Sequence, residues 1–385
     1  MRRLMTGWTT SAAALMLAAA VHATPIVPTS DAEVIETLPA AAGNRADERR
    51  LRRELAANPQ NAKSAAAIAR QYLEQAREQG DPRFAGQALA ALQAWPEPAT
   101  APTEVLLMQA TVQQYLHEFD AAAHKLGLLL KREPRDAQAW LTLATVRRVQ
   151  GRYAQSDAGC AELGRLGAGL YAGACQAEND GLRGQFDTAR TALKRLIATP
   201  RLPADNRNWL LTTLAELEAR DGQVADAETT YRAALDARPD AYTTMSYADF
   251  LIGLGRDADA LAQLKDQRRT DAVLLRLAIA GTRAGTADGA RDAREMRERI
   301  TLANQRPDAK LFHAREQAMF ALWVDQQPQR ALALARVNVQ QQREPLDLLV
   351  LVQAARASGQ AAPLREAERA VKDLGLSDRR IAALF

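Results

Sequence analysis

The stretch WLLTTLAELEARDGQVADAETTYRAALDARPD, residues 209–240, contains the pattern that decides the fold. Large apolar residues and the small Ala215 follow one another at helical spacing, the pattern breaks at Gly222, and a second apolar run ends at Pro239. Residues 106–136, LLMQATVQQYLHEFDAAAHKLGLLLKREPRD, show the same order. Apolar residues three and four apart indicate an amphipathic helix. Each stretch therefore predicts two helices joined by a short turn.

The breaks between helices recur at a nearly fixed period. Gly151, Gly184, Gly222 and Gly255 follow one another at intervals of 33, 38 and 33 residues, and His117 stands 34 residues before Gly151. A period of this length is typical of helical repeat proteins. A single helix pair cannot bury both of its apolar stripes, so each unit must fold against its neighbour.

The repeat resembles the tetratricopeptide repeat, most clearly over residues 103–269. In the unit that begins at Asn208, the matching positions are Leu211, Leu214, Ala215, Gly222, Ala227, Tyr231, Ala234 and Pro239. The resemblance implies an all-α protein, a right-handed α-solenoid of stacked antiparallel helix pairs.

Composition supports the same class. Ala, Leu, Arg, Glu and Gln dominate, only 5% of the residues are aromatic, and the chain lacks the Val, Ile and Thr runs that form strands. These residue types favour helices. We expect no β-sheet of consequence.

The first 23 residues have the anatomy of a secretory signal. Arg2 and Arg3 precede an apolar stretch to Val21, and Val21-His22-Ala23 is a small-x-small cleavage site. The alternative is an uncleaved membrane anchor, but the apolar run is shorter than the roughly 20 residues that a membrane span needs. We predict cleavage after Ala23, no transmembrane segment in the mature chain, and a periplasmic or secreted location.

The pattern divides the chain into five segments. The expected order is a signal peptide (1–23), a flexible lead-in (24–44), an N-terminal helical or degenerate repeat (45–102), the tetratricopeptide array (103–269), and degenerate repeats with a C-terminal cap (270–385).

The charge balance argues against nucleic acid as a partner. Removing Arg2 and Arg3 with the signal lowers the formal charge from +4 to +2. Charge runs such as DERRLRRE, residues 47–54, alternate in sign and are typical of solvated helix faces. A phosphate-binding protein needs a clustered basic face instead.

Sequence signals for catalysis are weak. The chain has no Gly-rich phosphate loop, nucleophile elbow or Cys-x-x-Cys motif. His313 and Glu316 lie three residues apart on one predicted helix, which is part of a metal-site pattern without its second half. His117 and His124 flank a turn, where such residues often collect. We predict a non-catalytic protein without metal or cofactor, and the alternative is a metal-binding accessory protein or enzyme that uses His313 and Glu316.

The two cysteines occupy equivalent heights on neighbouring predicted helices. Cys160 and Cys175 each lie about two helical turns from the loop near Gly167. An oxidising compartment favours a disulfide between them. The alternative is a pair of buried thiols.

One repeated pattern indicates a binding surface rather than the packing of the repeats. Three successive units carry an aromatic residue at the second position and an acid at the ninth, and these pairs are Tyr171 with Glu178, Trp209 with Glu216, and Tyr242 with Asp249. Seven residues are nearly two helical turns, so each pair shares a helix face. The resemblance implies that these positions point into a concave groove. They would suit a protein or peptide partner with a basic segment, through ring stacking and ion pairs. The alternative is that the rings pack under neighbouring loops and the acids are solvated.

These features together predict a non-catalytic exported scaffold that binds a protein partner in its concave groove, within an envelope complex. The alternative in the same compartment is an accessory subunit of an outer-membrane export or pilus assembly.

Overall fold

The computed structural model describes residue 30 and residues 45–305 and 314–385. The predicted signal peptide, the lead-in apart from Ser30, and His313 lie outside these described residues. The described residues from 45 onward belong to one compact body, Gly43–Phe385. No helix in its described part has the length and apolar character needed to cross a bilayer.

All regular structure in the described residues is helical, which confirms the all-α class. The first ten helices are α1 (Arg45–Ala57), α2 (Ala62–Gln79), α3 (Arg83–Ala91), α4 (Thr103–Tyr115), α5 (Phe119–Arg132), α6 (Ala137–Val149), α7 (Tyr153–Arg165), α8 (Gly169–Leu182), α9 (Phe186–Ile197) and α10 (Ala204–Arg220). The remaining helices are α11 (Val224–Ala237), α12 (Ala241–Gly253), α13 (Asp257–Leu264), α14 (Asp271–Arg283), α15 (Ala287–Ala303), α16 (Ala314–Trp323), α17 (Pro328–Gln341), α18 (Pro345–Ala357), α19 (Ala361–Leu374) and α20 (Arg379–Ala382).

Helices α2 to α19 form successive pairs, which we number as units 1 to 9 from α2/α3 to α18/α19. The two helices of each unit pack against one another, and the first helix of each unit also packs against the first helix of the next. This arrangement confirms the α-solenoid of stacked helix pairs.

Small residues allow the paired helices to approach closely. Ala110 of α4 and Ala122 of α5 are both completely buried. The approach is close in unit 7, where a Cβ atom added to Gly289 of α15 would lie 2.5 Å from the Cα of Gly281 in α14. Because protein interiors are close-packed, a larger side chain at such a position would separate the helices.

A residue in the left-handed region follows the first helix of each of the nine units. Glycine holds this position at Gly80, Gly151, Gly184, Gly222, Gly255, Gly285 and Gly359. His117 in unit 2 (φ 61°) and Gln326 in unit 8 (φ 53°) adopt the same backbone conformation without being glycine. The left-handed residue reverses the chain, so that the second helix returns along the first.

Units six apart in the chain touch edge to edge. A Cβ atom on Gly80, in the turn of unit 1, would lie 2.6 Å from the side chain of Thr270, which caps α14 in unit 7. The Arg343 N–H, just before α18 of unit 9, donates to the Val149 carbonyl at the end of α6 in unit 3, at 2.8 Å. The solenoid therefore completes a superhelical turn in roughly six units, and its successive turns are in contact.

The C-terminal segment extends this contact over the next two units. The Ser377 N–H donates to the Leu182 carbonyl at the end of α8, at 2.8 Å. Arg379 forms an ion pair with Asp221 at the end of α10, at 2.9 Å. The last carbonyls of a helix lack partners within the helix. Backbone N–H groups from the C-terminal half supply those partners for Val149 and Leu182.

The first helices of the last units are buried around almost their whole circumference. In α18, the consecutive residues Val350, Leu351 and Val352 are all at least 96% buried. A helix that is apolar on every side is a core helix. These residues belong to the same apolar core as Tyr153 and Leu182 of the central units. The inner surface of the C-terminal half is therefore packed rather than open.

We predict that Gly151→Ala destabilises the protein more than Gly255→Ala. Both glycines have nearly the same φ, 73° and 72°, so a left-handed alanine should lower the free energy of unfolding by about 1–2 kcal/mol in either variant. A Cβ on Gly151 would also overlap the Leu374 side chain, whereas nothing lies within 4 Å of a Cβ on Gly255. Urea titration should show an additional loss of about 0.5–1.5 kcal/mol in Gly151→Ala, because the Leu374 side chain must leave its preferred rotamer. Equal losses would contradict a constraint from Leu374 on the turn of unit 3.

Candidate functional site

Three successive first helices each place one aromatic ring near their N-terminal end. Tyr171 of α8 and Trp209 of α10 have ring centroids 5.8 Å apart, with planes inclined by 31°. Tyr171 is 36% exposed, Tyr242 of α12 is 59% exposed, and Trp209 is half-buried. We call these three residues the aromatic row. The described residues expose few large apolar side chains, and two of those few belong to this row.

Two of the three predicted acids are engaged by arginines of neighbouring first helices. Glu178 of α8 pairs with Arg148 of α6 at 2.9 Å. Asp249 of α12 accepts from both Nε and Nη2 of Arg276 in α14, at 2.8 and 2.5 Å. All four side chains are at most 25% exposed. These ion pairs join the first helices of adjacent units, and the carboxylates do not stand free in the groove.

The third acid, Glu216, is engaged by hydroxyl groups of α12. The Tyr242 Oη and the Ser246 Oγ each donate to Glu216 Oε1 at 2.8 Å. Burial raises the pKa of the Glu216 carboxyl, and the positive charge of Arg220, followed by the two hydroxyl donors, opposes that shift. The negative charge of Glu216 holds the pKa of Tyr242 well above its ordinary value. Glu216 therefore fixes the direction of the Tyr242 ring.

The structure thus brings together some of the predicted residues and separates others. Tyr171 and Trp209 meet across adjacent helices, and Tyr242 meets Glu216 rather than Asp249. Sequence reasoning missed Arg148 and Arg276 as partners of the acids. A signal was present, because each arginine lies about one repeat length from its carboxylate and on the first helix of the adjacent unit.

Cys160 of α7 and Cys175 of α8 are joined by a disulfide, with Cα atoms 5.6 Å apart. Both cysteines are 98% buried and pack against Ala144 of α6. The bond links the second helix of unit 3 to the first helix of unit 4. It therefore fixes the position of α8, which carries Tyr171.

The predicted histidine and metal candidates do not assemble into a cluster. Within the described residues, no group of three or more His, Cys, Asp or Glu side chains could hold a metal ion. Glu316 lies 3.3 Å from Arg315. His117 forms the turn of unit 2 and stacks on Phe119, and His124 is exposed on α5. The absence of catalysis stays a prediction.

The helix pairs, the left-handed turns and the buried alanines define a helical-repeat solenoid, a fold that resembles that of tetratricopeptide repeat proteins. No protein-family model and no curated protein matches the sequence.

Solved structures resemble this one at low identity. One is a tetratricopeptide repeat protein from Parabacteroides merdae, with 18% identity, a TM-score of 0.46, and coverage of 57% of this chain and 83% of that one. Another is a thermophilic tetratricopeptide repeat protein from Thermus thermophilus, with 20% identity, a TM-score of 0.38, and coverage of 52% and 99%. A third is the human IFIT1 dimer with PPP-AAAA, with 13% identity, a TM-score of 0.45, and coverage of 86% and 77%.

We predict that reducing the Cys160–Cys175 bond lowers the free energy of unfolding by about 3 kcal/mol, because the bond closes a 15-residue separation in the unfolded chain. Urea titrations with and without a reductant measure this difference. The double variant Cys160→Ser, Cys175→Ser is the control and should respond to urea identically in both conditions. Equal stability of the native protein in both conditions would contradict the prediction.

Proposed function

We propose that this chain is a non-catalytic, exported scaffold that binds a protein partner along the aromatic row. The observation that supports this most directly is the exposure of Tyr171 and Tyr242 on the first helices of units 4 and 6, on either side of unit 5, which carries Trp209. Solenoids of stacked helix pairs offer extended concave surfaces for binding. Exposed tyrosine and tryptophan side chains provide large contact area at low entropic cost, and they dominate the energy of many interfaces.

The partner's contacts follow from the groups that are left free. Glu178 and Asp249 already pair with arginines, and Glu216 already accepts two hydroxyl donors. Because these carboxylates already have partners within the chain, they give no reason to expect a basic segment in the binding partner. The row instead suits an extended segment that places apolar side chains or peptide planes against the rings.

The proposed location rests on two independent features. Residues 1–23 have the order of a secretory signal. The buried disulfide suits an oxidising compartment, since disulfides are rare in proteins that stay in the cytosol. We therefore place the scaffold in the periplasm or outside the cell, as a member of an envelope complex.

Site-specific photocrosslinking in the native envelope tests this function. A benzoyl-phenylalanine residue replaces Tyr171 or Tyr242 in separate full-length chains, and it replaces Val224 at the start of α11 as the control. Val224 is also exposed, at 42%, but it lies outside the aromatic row. We expect both row positions to crosslink to the same protein and the control position not to do so.

Loss of affinity then measures the role of the rings. Tyr171→Ala combined with Tyr242→Ala should weaken binding of that crosslinked protein by about tenfold or more, and Val224→Ala should not. Crosslinking only at Val224, or unchanged affinity in the double variant, would place the interface elsewhere.

A further inference from the structure

The hydrogen-bond donors of the aromatic row are not equally engaged. The Tyr242 hydroxyl donates to Glu216 Oε1 at 2.8 Å. The Tyr171 hydroxyl and the Trp209 indole N–H have no hydrogen-bond partner among the described residues, and the indole nitrogen is open to solvent. We call Tyr171 and Trp209 the free pair. Their ring centroids are 5.8 Å apart, so two adjacent first helices present two free donors on neighbouring apolar rings.

Donors of the same two kinds bind backbone carbonyls elsewhere in the solenoid. The Trp140 Nε1 donates to the Pro134 carbonyl at 2.9 Å, and the Tyr115 Oη donates to the Ala76 carbonyl at 3.1 Å. Tyrosine and tryptophan side chains usually find a partner for their polar group when they are buried. A binding partner that covers the free pair must therefore supply acceptors to it.

The carboxylates that share a helix face with the rings already have partners within the chain. Asp205, one helical turn before Trp209, pairs with Arg238 at the end of α11. Glu178 and Asp249 pair with arginines of neighbouring first helices, and those arginines are occupied by the same pairs. A charged side chain that docked against these pairs would lose water without meeting an unpaired opposite charge. Charge complementarity therefore favours a neutral segment.

A polyproline II segment matches the free donors better than a helix or a strand does. A helix uses its carbonyls for its own N–H groups. A strand brings N–H groups as well as carbonyls, and the carboxylates of the row that could accept from them are engaged. Polyproline II has no internal hydrogen bonds, so its carbonyls are free, and each proline lacks an N–H. Such a segment offers acceptors and apolar rings, and it brings few donors.

The repeat distances of the two structures also agree. The first helices α8, α10 and α12 pack against one another in succession. The axes of packed helices lie about 8–10 Å apart. Polyproline II completes one turn in three residues and advances by about 9 Å in doing so. Residues three apart in such a segment would therefore meet successive first helices.

We propose that the aromatic row binds a proline-rich segment in the polyproline II conformation, with prolines three residues apart packed on successive rings. The Tyr171 Oη and the Trp209 Nε1 donate to carbonyls of this segment. Tyr242 contributes its ring, and its hydroxyl stays on Glu216. This mode of recognition uses a segment whose bound conformation is already formed in solution. The inference rests on the proposed function and names the chemistry of the partner.

Three fluorescent peptides of equal length test this chemistry. They are an oligoproline, a glycine–serine peptide and a glutamate–serine peptide, and fluorescence anisotropy measures their binding to the full chain. The oligoproline should bind about tenfold or more tightly than the glycine–serine peptide, because it is preorganised and carries apolar rings. Equal binding of those two would overturn the proposal. Binding of the glutamate–serine peptide as tight as that of the oligoproline would also overturn it, since the free donors would then serve a carboxylate.

Removal of single donors tests which groups bind the segment. Tyr171→Phe removes only a hydroxyl, and Trp209→Phe removes the indole N–H while it keeps an aromatic ring. Each should weaken oligoproline binding by about two- to tenfold, the range for one hydrogen bond. Tyr242→Phe is the matched control, because that hydroxyl is already engaged, and it should change the affinity by no more than about twofold. Equal losses in Tyr171→Phe and Tyr242→Phe would overturn the proposal, even if Trp209→Phe fails to fold.

Mapping of the photocrosslink separates this inference from the proposed function. With benzoyl-phenylalanine in place of Tyr171, mass spectrometry should find the crosslink in a partner segment with prolines three residues apart. Crosslinks from Tyr171 and Tyr242 to one protein, but at a segment without proline, would overturn this inference and leave the proposed function intact. Absence of crosslinks at both positions would overturn the proposed function, and this inference with it.

Discussion

The close approach of paired helices at small residues sets the geometry of the whole solenoid. The contact between Gly281 and Gly289 brings two helix backbones together, and the buried Ala110 and Ala122 are small enough to allow the same approach in unit 2, so that larger side chains on either side interdigitate. This close spacing lets the first helix of each unit contact the first helix of the following unit. The ion pair between Arg148 and Glu178 and the disulfide behind it both use this reach, and both hold α8 in register with unit 3.

Repetition of that geometry brings units that are far apart in the sequence into contact. Each unit adds a small rotation, and after roughly six units the chain meets its own earlier turns, where Arg343 and Ser377 donate to the ends of α6 and α8. The C-terminal units are thereby packed into an apolar core, and their inner face is covered. The exposed rings of Tyr171 and Tyr242 lie near the N-terminal ends of α8 and α12, which is why binding is proposed there.

The local architecture could be read from the sequence, and the long-range contacts could not. The spacing of Gly151, Gly184 and Gly222 is a local signal, because each glycine ends its own helix in the left-handed region. The link between Ser377 and Leu182 has no such signal, since it follows from many small rotations added over several units. The aromatic positions were identified from their spacing. Their electrostatic surroundings were not, because these depend on arginines from adjacent helices and on Arg220, whose positive charge acts on Glu216.

Site-resolved amide hydrogen exchange at Arg343 and Ser377 tests most directly whether successive turns of the superhelix are in contact. Both amides lie outside regular helices and are bonded only to carbonyls of units far back in the chain. If the turns are in contact, both amides should be strongly protected from exchange, with opening free energies close to those of the core helices α6 and α8. Exchange as fast as that of frayed helix ends would contradict this contact, and would mean that the successive superhelical turns are separate in solution.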